Sequence, residues 1–555
     1  MTAFSQKNRS SFLNDVSLDD KYKVDTKRAY MTGIEALVRL PILQHQRDQE
    51  RGINTAGFIS GYRGSPLGTL DQSLWKASKF LDQHNIKFVP GVNEDLAATA
   101  VWGSQQVNLF DGAKYDGVFG MWYGKGPGVD RSMDAIRHAN AFGTSKYGGV
   151  LAIAGDDHAA KSSTLPHQSE HMFIGASIPV LNPSNVQEVL DLGIYGWELS
   201  RYCGAWVAMK AITENMDSAI SAEIDPNRVQ IVIPDTFEMP SDGVHARWPD
   251  NALDQERRLN KYKIYAAREF ARVNGLNRIV LDSDRARLGI ITTGKAYLDV
   301  MQALEDLGID AAEAEKIGLR VFKVGMSWPL DPVGTHEFAE GLEEIIVIEE
   351  KRSIIEDQLT GQLYNWPTER RPRVIGEYDT EGNDLLTNLS ELTPAMVARA
   401  IAKRISLFHT FTDANRIEQR LAFYDNKESL LALPQAANER IPHYCSGCPH
   451  SQSTRVPEGS RALGGIGCHY MGTWEIGDRK ADTFTQMGGE GATWIGQAAF
   501  TETQHVFQNI GDGTYFHSGS LAIRQAIAAG VNITYKILYN EAVAMTGGQS
   551  VDGDL

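Results

Sequence analysis

The feature that most constrains the fold of this chain is the tripeptide Gly511-Asp512-Gly513, which is followed after 26 residues by Asn540. The apolar run 505–510 predicts a strand that leads into the tripeptide, 521–529 predicts an amphipathic helix, and 533–539 predicts a second strand. Such a unit sets two neighbouring parallel strands side by side, with their carboxyl ends together. We therefore expect the aspartate and Asn540 to meet at one point, where two hard oxygen ligands suit a magnesium ion.

The helix between these strands has its own start and stop signals. Ser518 is predicted to be its N-cap and Gly530 its C-cap. Gly511 and Gly513 carry no side chain, so the backbone can closely approach a diphosphate. A Gly-Asp-Gly sequence alone equally fits an ordinary turn. The flanking strands, the helix and the spacing to Asn540 favour a magnesium–diphosphate site.

The composition argues against several classes of protein. The 555 residues carry a net charge of −16 and are 42% hydrophobic, which is ordinary for a folded chain of several domains. The acidic balance argues against a nucleic-acid binder and against attachment to an anionic membrane surface. No apolar run reaches the ~18–20 residues that span a bilayer, and the polar N-terminus lacks the apolar core of a secretory signal. These features predict a cytoplasmic protein.

Short apolar strands alternate with helical segments along most of the chain. Residues 55–60, 117–122 and 149–154 are predicted to be strands, and this alternation predicts an α/β fold with several doubly wound parallel-sheet domains. The predicted organisation is a polar arm at 1–25, an α/β domain at 26–240, a helical linker at 241–285, a second α/β domain at 286–378, a helical connection at 379–440 and a third α/β domain at 441–555.

Three of the four cysteines, Cys445, Cys448 and Cys468, lie within 24 residues. This clustering favours metal or cluster ligation, because disulfide frameworks belong mainly to secreted proteins. The spacing fits three ligands of a zinc site that His450 or His469 would complete. It fits three ligands of a four-iron cluster equally well, so the spacing alone leaves both alternatives open.

Longer stretches around these residues resemble a known family. The matching segments are Gly511-Asp-Gly-Thr-Tyr-Phe-His-Ser-Gly519, Tyr539-Asn-Glu-Ala-Val-Ala-Met-Thr-Gly-Gly-Gln549, Cys445-Ser-Gly-Cys-Pro-His450, Gly464-Gly-Ile-Gly-Cys-His469 and Met487-Gly-Gly-Glu-Gly491. They resemble the indolepyruvate:ferredoxin oxidoreductase family, which belongs to the thiamine diphosphate-dependent 2-oxoacid:ferredoxin oxidoreductases. The resemblance extends over nearly the whole chain from about residue 30. It implies that the α/β domains are of the thiamine diphosphate-binding type: pyrimidine-binding at 26–240, transketolase C-terminal-like at 286–378, and diphosphate- and magnesium-binding at 441–555.

The resemblance implies two cofactor sites. Thiamine diphosphate with Mg²⁺ would be held by Asp512, Asn540 and the backbone carbonyl of Ala542, with glycines beside the cofactor at Gly467, Gly488, Gly491, Gly511 and Gly513. A [4Fe–4S] cluster would be held by Cys445, Cys448 and Cys468. Its fourth ligand is expected outside this chain, because Cys203 belongs to another predicted domain and is expected to be a buried core thiol. The chain is therefore predicted to be the N-terminal part of a longer fused polypeptide.

A carboxyl group is also needed to protonate the aminopyrimidine ring of thiamine diphosphate. Glu94 follows a short apolar strand and opens an alanine-rich helix. From the pattern alone, the preferred explanation is an acid in the first turn of the helix, where the helix dipole favours a negative charge. The resemblance instead implies that Glu94 is the catalytic acid, with Asp95 as its solvated neighbour.

The loop Gly61-Tyr-Arg-Gly-Ser-Pro66 resembles a substrate-binding loop of the same family. Ser65 keeps the hydroxyl that lies near the keto acid in the family, whereas Arg63 replaces a proline and adds a charge for a carboxylate. Lys125 and Arg131 follow another strand end and are further candidates for the substrate carboxylate. Loop charges of this kind also fit simple solvation.

The reaction implied by the resemblance is oxidative decarboxylation of an aryl 2-oxoacid, such as indolepyruvate, to the acyl-CoA. The implied partners are the 2-oxoacid, coenzyme A and ferredoxin, with electrons passing through the iron–sulfur cluster. A homodimer is expected for the full-length form, and the fragment alone is expected to be inactive. Two alternatives stay open: a non-oxidative thiamine diphosphate-dependent decarboxylase or synthase, and a non-enzymatic, zinc-stapled α/β protein that binds nucleotides.

Overall fold

A computed structural model describes residues 17–411, 413–431, 442–474 and 479–551. The chain forms two compact units. The first unit contains Met1–Val89 and Ala98–Lys427, and the second contains Pro90–Ala97 and Glu428–Leu555. Each unit is described below by itself.

The first unit begins with a domain built on a parallel sheet. Strands β4, β5 and β7 are buried along almost their whole length, as expected for a parallel sheet covered by helices on both faces. The sheet runs in the order β6-β7-β5-β4-β2-β3, and β1 and β8 form a separate antiparallel pair. The strands are β1 (Arg28–Thr32), β2 (Thr55–Gly61), β3 (Ile86–Phe88), β4 (Gly117–Lys125), β5 (Val150–Asp156), β6 (Val180–Leu181), β7 (Val207–Ile212) and β8 (Ala219–Glu223).

Local sequence signals explain where two long helices of this domain begin and where one of them ends. Thr32 and Glu35 form a capping box at the start of the first long helix, and Asn185 caps the second, which ends at the left-handed Gly204. The helices are α1 (Gly33–Glu50), α2 (Leu70–Lys76), α3 (Ser78–Gln83), α4 (Glu94–Ser104), α5 (Gly126–Arg131), α6 (Met133–Phe142), α7 (Glu170–Gly175), α8 (Val186–Cys203) and α9 (Thr213–Met216). The start of α4, up to Ala97, belongs to the second unit.

The second domain of the first unit has a five-stranded sheet in the order β14-β13-β10-β11-β9, in which only β9 is antiparallel. The short strand β12 leaves this domain and pairs antiparallel with β6. The strands are β9 (Asn277–Leu281), β10 (Leu288–Thr293), β11 (Leu319–Val324), β12 (Met326–Trp328), β13 (Glu344–Ile348) and β14 (Arg373–Ile375).

The helices of the second domain extend into both segments predicted as connections. Val397, Ile401 and Ile405 of α16 join the apolar core beside β10 and β11, although they lie in the segment predicted as a helical connection. Gly308 ends α12 in the left-handed conformation. The helices are α10 (Ala252–Arg258), α11 (Ile264–Val273), α12 (Gly294–Leu307), α13 (Ala311–Ile317), α14 (Pro332–Ala339), α15 (Ile355–Leu363), α16 (Pro394–Ile405) and α17 (Ala414–Leu431).

The second unit holds a four-stranded, fully parallel sheet in the order β16-β15-β17-β18. Its strands are β15 (Arg461–Gly464), β16 (Thr483–Phe484), β17 (Val506–Gly511) and β18 (Ile533–Leu538), followed by the small pair β19 (Ala542–Val543) and β20 (Gln549–Ser550). Its helices are α18 (His450–Ser453), α19 (Ala492–Ile495), α20 (Asp512–Thr514) and α21 (Ser520–Ala529). The predicted α/β class with parallel sheets is confirmed.

One predicted cap in this unit is wrong. Helix α21 ends at the left-handed Gly530 as predicted, but it does not start from Ser518. A π-helical turn at Tyr515–Gly519 runs directly into α21, so no free helix start is available at Ser518. The Ser518 hydroxyl lies against His517 instead.

None of the helices in the described segments combines the length and the hydropathy needed to cross a bilayer.

Candidate active site

The buried carboxylate of Asp512 forms the centre of the predicted diphosphate site. Asp512 follows the last residue of β17 and is 2% exposed. Its Oδ2 accepts hydrogen bonds from the backbone nitrogens of Asn540 at 2.9 Å and Glu541 at 2.7 Å, and its Oδ1 accepts one from Gly513 at 2.9 Å. Because β17 and β18 are parallel neighbours, their carboxyl ends meet as predicted. The structure therefore brings Asp512 and Asn540 together.

The turn that follows β18 supplies further oxygen atoms. The Asn540 Oδ1 atom accepts a hydrogen bond from the Ala542 nitrogen at 3.1 Å. Glu541 adopts a left-handed conformation with φ 57°, which reverses the chain between these two residues. A carboxylate, an amide oxygen and a backbone carbonyl are the hard donors that Mg²⁺ prefers. The donor chemistry of Asp512, Asn540 and Ala542 thus fits a magnesium ion.

His469 presents a buried nitrogen beside this site. The side chain is 1% exposed, and its Nε2 has no hydrogen-bond partner among the described residues. A Cβ built on Gly511 would lie 3.9 Å from the His469 Cε1 atom. Burial, aided by the charge of His450, lowers the pKa of His469 to about 4. A neutral imidazole with an unused nitrogen next to Gly511 fits a bound diphosphate, to which its N–H could donate. The sequence suggested His469 only as a zinc ligand.

The predicted cofactor glycines differ in what they contact. Gly467 has φ 152°, and a Cβ built on it would lie 2.8 Å from His469 Cε1. The Gly467 backbone therefore lies close to the His469 imidazole. The Gly488 nitrogen donates to Glu490 Oε2 at 2.8 Å. Gly491, with φ 85°, faces Tyr535, and a built Cβ would lie 2.1 Å from the tyrosine hydroxyl. Close protein packing therefore accounts for the glycine at position 491 without a cofactor.

The three clustered cysteines carry free thiols. Cys445 and Cys448 flank a tight turn in which the Cys448 nitrogen donates to the Cys445 carbonyl at 2.9 Å. Burial raises the pKa of Cys468, and the neighbouring Cys448 and Cys445 raise it further. Within the described residues, no three His, Cys, Asp or Glu side chains are placed so that together they could hold a metal ion.

Glu94 lies in the second unit and contacts a residue that the sequence analysis did not single out. Its Oε2 lies 2.7 Å from His517 Nε2, and His517 Nδ1 lies 2.6 Å from Ser518 Oγ. Asn93 donates from Nδ2 to the His517 carbonyl at 3.0 Å. All four side chains are buried. Glu94 opens α4, as predicted.

The candidate substrate residues belong to the first unit. Arg63 is buried, and its Nε donates to Asp71 Oδ2 at 3.1 Å, while Tyr123 donates to Asp71 Oδ1 at 2.5 Å. Lys125 ends β4, and a Cβ built on Gly64 would lie 2.8 Å from its Cδ, so Lys125 packs on the loop that carries Ser65. Arg131 is exposed at the end of α5. The structure thus brings Lys125 to the Ser65 loop, gives Arg63 an internal partner and leaves Arg131 at the surface.

Comparison with known families supports the interpretation of these motifs. Residues 277–433 match the family described as "Indolepyruvate ferredoxin oxidoreductase middle domain". Residues 465–554 match "Thiamine pyrophosphate enzyme, C-terminal TPP binding domain", which contains the Asp512 site. Over these segments the chain is similar to the indolepyruvate ferredoxin oxidoreductases. The predicted resemblance to this family is thereby confirmed.

Two relatives match most of the length of this chain. Subunit IorA of indolepyruvate oxidoreductase from Methanothermobacter marburgensis is 27% identical over 546 residues, which are 95% of this chain and 77% of the relative. The Pyrococcus abyssi subunit is 26% identical over 473 residues, which are 80% of this chain and 67% of the relative. The predicted class of enzyme, an oxidoreductase with a thiamine diphosphate-binding domain, is confirmed.

A solved structure also matches part of the chain. It is the 2-oxoglutarate:ferredoxin oxidoreductase from Magnetococcus marinus with 2-oxoglutarate, coenzyme A and succinyl-CoA bound. The TM-score is 0.48 at 16% identity, over 68% of this chain and 65% of that one.

Proposed function

We propose that this protein oxidatively decarboxylates an aryl 2-oxoacid, such as indolepyruvate, in a thiamine diphosphate-dependent reaction. The substrates are the 2-oxoacid and coenzyme A, and the products are the acyl-CoA, carbon dioxide, a proton and two electrons. Ferredoxin accepts the electrons. Bound thiamine diphosphate supplies a stabilised carbanion at its thiazolium ring, which makes loss of carbon dioxide from a 2-oxoacid accessible.

The observation that carries this proposal is the bond network of Asp512. A buried carboxylate at the end of β17 holds the Asn540–Ala542 turn through two backbone N–H groups. This turn carries the Asn540 side-chain oxygen and the Ala542 carbonyl in one short segment of chain, which is bonded to the Asp512 carboxylate. Asp512, Asn540 and the Ala542 carbonyl would hold the magnesium ion, while Gly511 and Gly513 admit the diphosphate. The neutral His469 would donate its free N–H to a phosphate oxygen.

Glu94 acts as the acid of the site in this proposal. Its buried carboxyl gives a proton to the ring nitrogen of the aminopyrimidine and takes it back later. A positioned carboxyl acid of this kind contributes roughly 10²–10⁴-fold to a reaction rate. The buried position of Glu94 excludes bulk water from that proton transfer.

The three clustered cysteines would hold a [4Fe–4S] cluster, to which a cysteine outside this chain gives the fourth thiolate. A cluster of this type supplies one-electron acceptance. The grouping of the three cysteines within 24 residues of sequence supports this assignment over scattered core cysteines. The names of the relatives support indolepyruvate as the substrate. Ser65, Lys125, Arg131 and, less directly, Arg63 are proposed to meet the substrate carboxylate. We further propose a homodimer for the full-length form.

Anaerobic purification of the full-length protein tests the proposal. With thiamine diphosphate, Mg²⁺, coenzyme A and indolepyruvate, we expect visible iron–sulfur absorption that bleaches, followed by reduction of added ferredoxin and formation of the acyl-CoA. Release of carbon dioxide without electron transfer would instead identify a non-oxidative decarboxylase. A colourless protein that contains zinc would reject the proposal. Light scattering of the same sample measures the oligomeric state.

A further inference from the structure

Three polar side chains form a short buried chain in the second unit. Ser518 Oγ lies 2.6 Å from His517 Nδ1, and His517 Nε2 lies 2.7 Å from Glu94 Oε2. Ser518 and His517 are each 5% exposed and Glu94 is 6% exposed. Both ring nitrogens of the histidine are therefore engaged, one by a hydroxyl and one by the proposed acid of the active site.

The chemistry of the three groups restricts the directions of these hydrogen bonds. An ionised carboxylate can only accept, so His517 Nε2 then carries a hydrogen and donates it to Glu94. The Nδ1 atom of the same neutral ring has no hydrogen and accepts from the Ser518 hydroxyl. When Glu94 instead carries a proton, each direction reverses: the carboxyl donates to Nε2, and Nδ1 donates to Ser518. The second arrangement holds one proton more than the first, and the change between them needs no movement of a heavy atom.

The backbone around His517 holds the ring in place. His517 lies in the π-helical turn Tyr515–Gly519, which directly follows α20 and Asp512. Such turns are rare and frequently occur at functional sites. Asn93, the residue before Glu94, donates to the His517 carbonyl at 3.0 Å and accepts from the Leu96 nitrogen at 3.1 Å. Asn93 thus ties the first turn of α4 to the histidine that faces Glu94.

We propose that His517 is a positioning residue for Glu94 and that it exchanges a proton with the Glu94 carboxyl. The proposal rests on the function proposed above, in which Glu94 must alternately carry and release a proton. In the forward transfer, the Nε2 proton passes to Glu94 Oε2 while Nδ1 takes the hydroxyl proton of Ser518. A hydronium ion from the solvent then gives a proton to the Ser518 oxygen and leaves as water, so that the three groups together gain one proton. The reverse sequence removes the proton from Glu94 again. The carboxyl thus gains and loses a proton without leaving its buried position.

The test separates this step from cofactor binding. Full-length wild-type, His517→Gln, His517→Ala and Ser518→Ala proteins are titrated with thiamine diphosphate and Mg²⁺ to measure the dissociation constant. Proton–deuterium exchange at the thiazolium C2 of the bound cofactor is then followed by rapid-quench NMR. Glutamine can still donate to Glu94 but cannot relay a proton. We expect a dissociation constant within about threefold of wild type, but exchange that is slower by roughly 10²-fold for His517→Gln.

Two further results distinguish a proton relay through His517 from a role of this residue in packing alone. Added imidazole is expected to restore a large part of the exchange in His517→Ala, and Ser518→Ala is expected to slow exchange by about tenfold. Wild-type exchange in His517→Gln would overturn the proposal, as would wild-type exchange in Ser518→Ala if the histidine variants do not fold. Failure of the wild-type protein to bind the cofactor or to exchange would instead reject the proposed function itself.

Discussion

The Oδ2 atom of Asp512 lies 2.7 Å from the backbone nitrogen of Glu541 and accepts its hydrogen. This bond joins the ends of two neighbouring parallel strands, and it fixes the turn that holds Asn540 and Ala542. The carboxylate has one role in shaping this turn and a second, proposed role as a magnesium ligand. Substitutions at Asp512 should therefore affect both stability and cofactor binding.

Asp512→Ala is expected to abolish binding of thiamine diphosphate with Mg²⁺ and to destabilise the second unit by roughly 1–3 kcal/mol. The loss of stability arises because buried backbone N–H groups lose their acceptor. Fluorescence titration measures the binding, and thermal denaturation measures the stability. Glu502→Gln is the matched control, because this acid is exposed in the same unit and should leave both quantities unchanged. Full cofactor affinity in Asp512→Ala would contradict the assignment.

The cysteines are expected to separate into two groups when each is replaced. Cys445→Ser, Cys448→Ser and Cys468→Ser should lose bound iron and the visible absorption of the cluster, because each removes one thiolate ligand. Cys203→Ala should keep the iron, since Cys203 is fully buried in the core of the first domain, and burial raises its pKa to about 11. Iron analysis of anaerobically purified full-length variants gives the measurement. Loss of iron in Cys203→Ala alone would reverse the assignment.

Arg63→Met is expected to destabilise the first unit by about 3–5 kcal/mol, because it leaves the buried Asp71 carboxylate without its charged partner. Thermal denaturation of the variant tests this expectation. Lys87→Ala is the control, since its ion pair with Asp82 is exposed and should contribute less than about 1 kcal/mol. An unchanged melting temperature together with a raised KM for the 2-oxoacid would show that Arg63 binds substrate instead.

The stability of the first unit should depend on the charge of His167. Burial opposes this charge, but hydrogen bonds to Asp130 at 2.9 Å and Asp156 at 3.3 Å outweigh it and raise the pKa of His167 from 6.5 to about 9. A raised histidine pKa stabilises the fold fully below pH 6.5, and the contribution is lost as the pH rises through 9. Allowing for solvent screening, we expect the charge of His167 to contribute about 2–3 kcal/mol to the free energy of unfolding.

Thermal denaturation between about pH 6 and pH 10 measures this effect of His167. His167→Gln should be less stable than wild type at the acidic end and should approach it at the alkaline end. His138→Gln is the control, because the His138 ring is exposed. A constant difference between wild type and His167→Gln across the whole range would contradict the prediction.

Gly491 and Gly530 offer a matched pair of substitutions. Both have left-handed backbones, with φ 85° and 65°, but a Cβ on Gly491 would collide with the Tyr535 hydroxyl at 2.1 Å, whereas a Cβ on Gly530 would meet open space. Gly530→Ala should cost roughly 1–2 kcal/mol from the backbone alone, and Gly491→Ala should cost clearly more. Equal losses in thermal denaturation would contradict the packing explanation for Gly491.

Local sequence signals predicted two strands and the end of one helix in the second unit. The apolar runs at the predicted strands and the glycine at position 530 correspond to β17, β18 and the end of α21. These signals depend on residues that are close in sequence, so a single chain displays them. The meeting of Asp512 and Asn540 follows from them through the geometry of parallel strands.

The partner of Glu94 could not be predicted in the same way. His517 lies 423 residues away in sequence, and neither periodicity nor spacing connects the two positions. Ser518 looked like a helix cap because serine commonly caps helices, but the π-helical turn continues into α21 and frees its hydroxyl for the histidine. The pairing of β12 with β6 was also hidden, because three-residue and two-residue strands carry almost no pattern.

That pairing has a consequence for how this protein can be divided. Strand β12 is made by the second domain but completes the edge of the sheet in the first. A fragment that ends before residue 277 would leave β6 as an open edge, ready to pair with other chains. The two domains are therefore poor candidates for separate expression or for exchange as independent modules, and recombination between them would leave both products with exposed backbone.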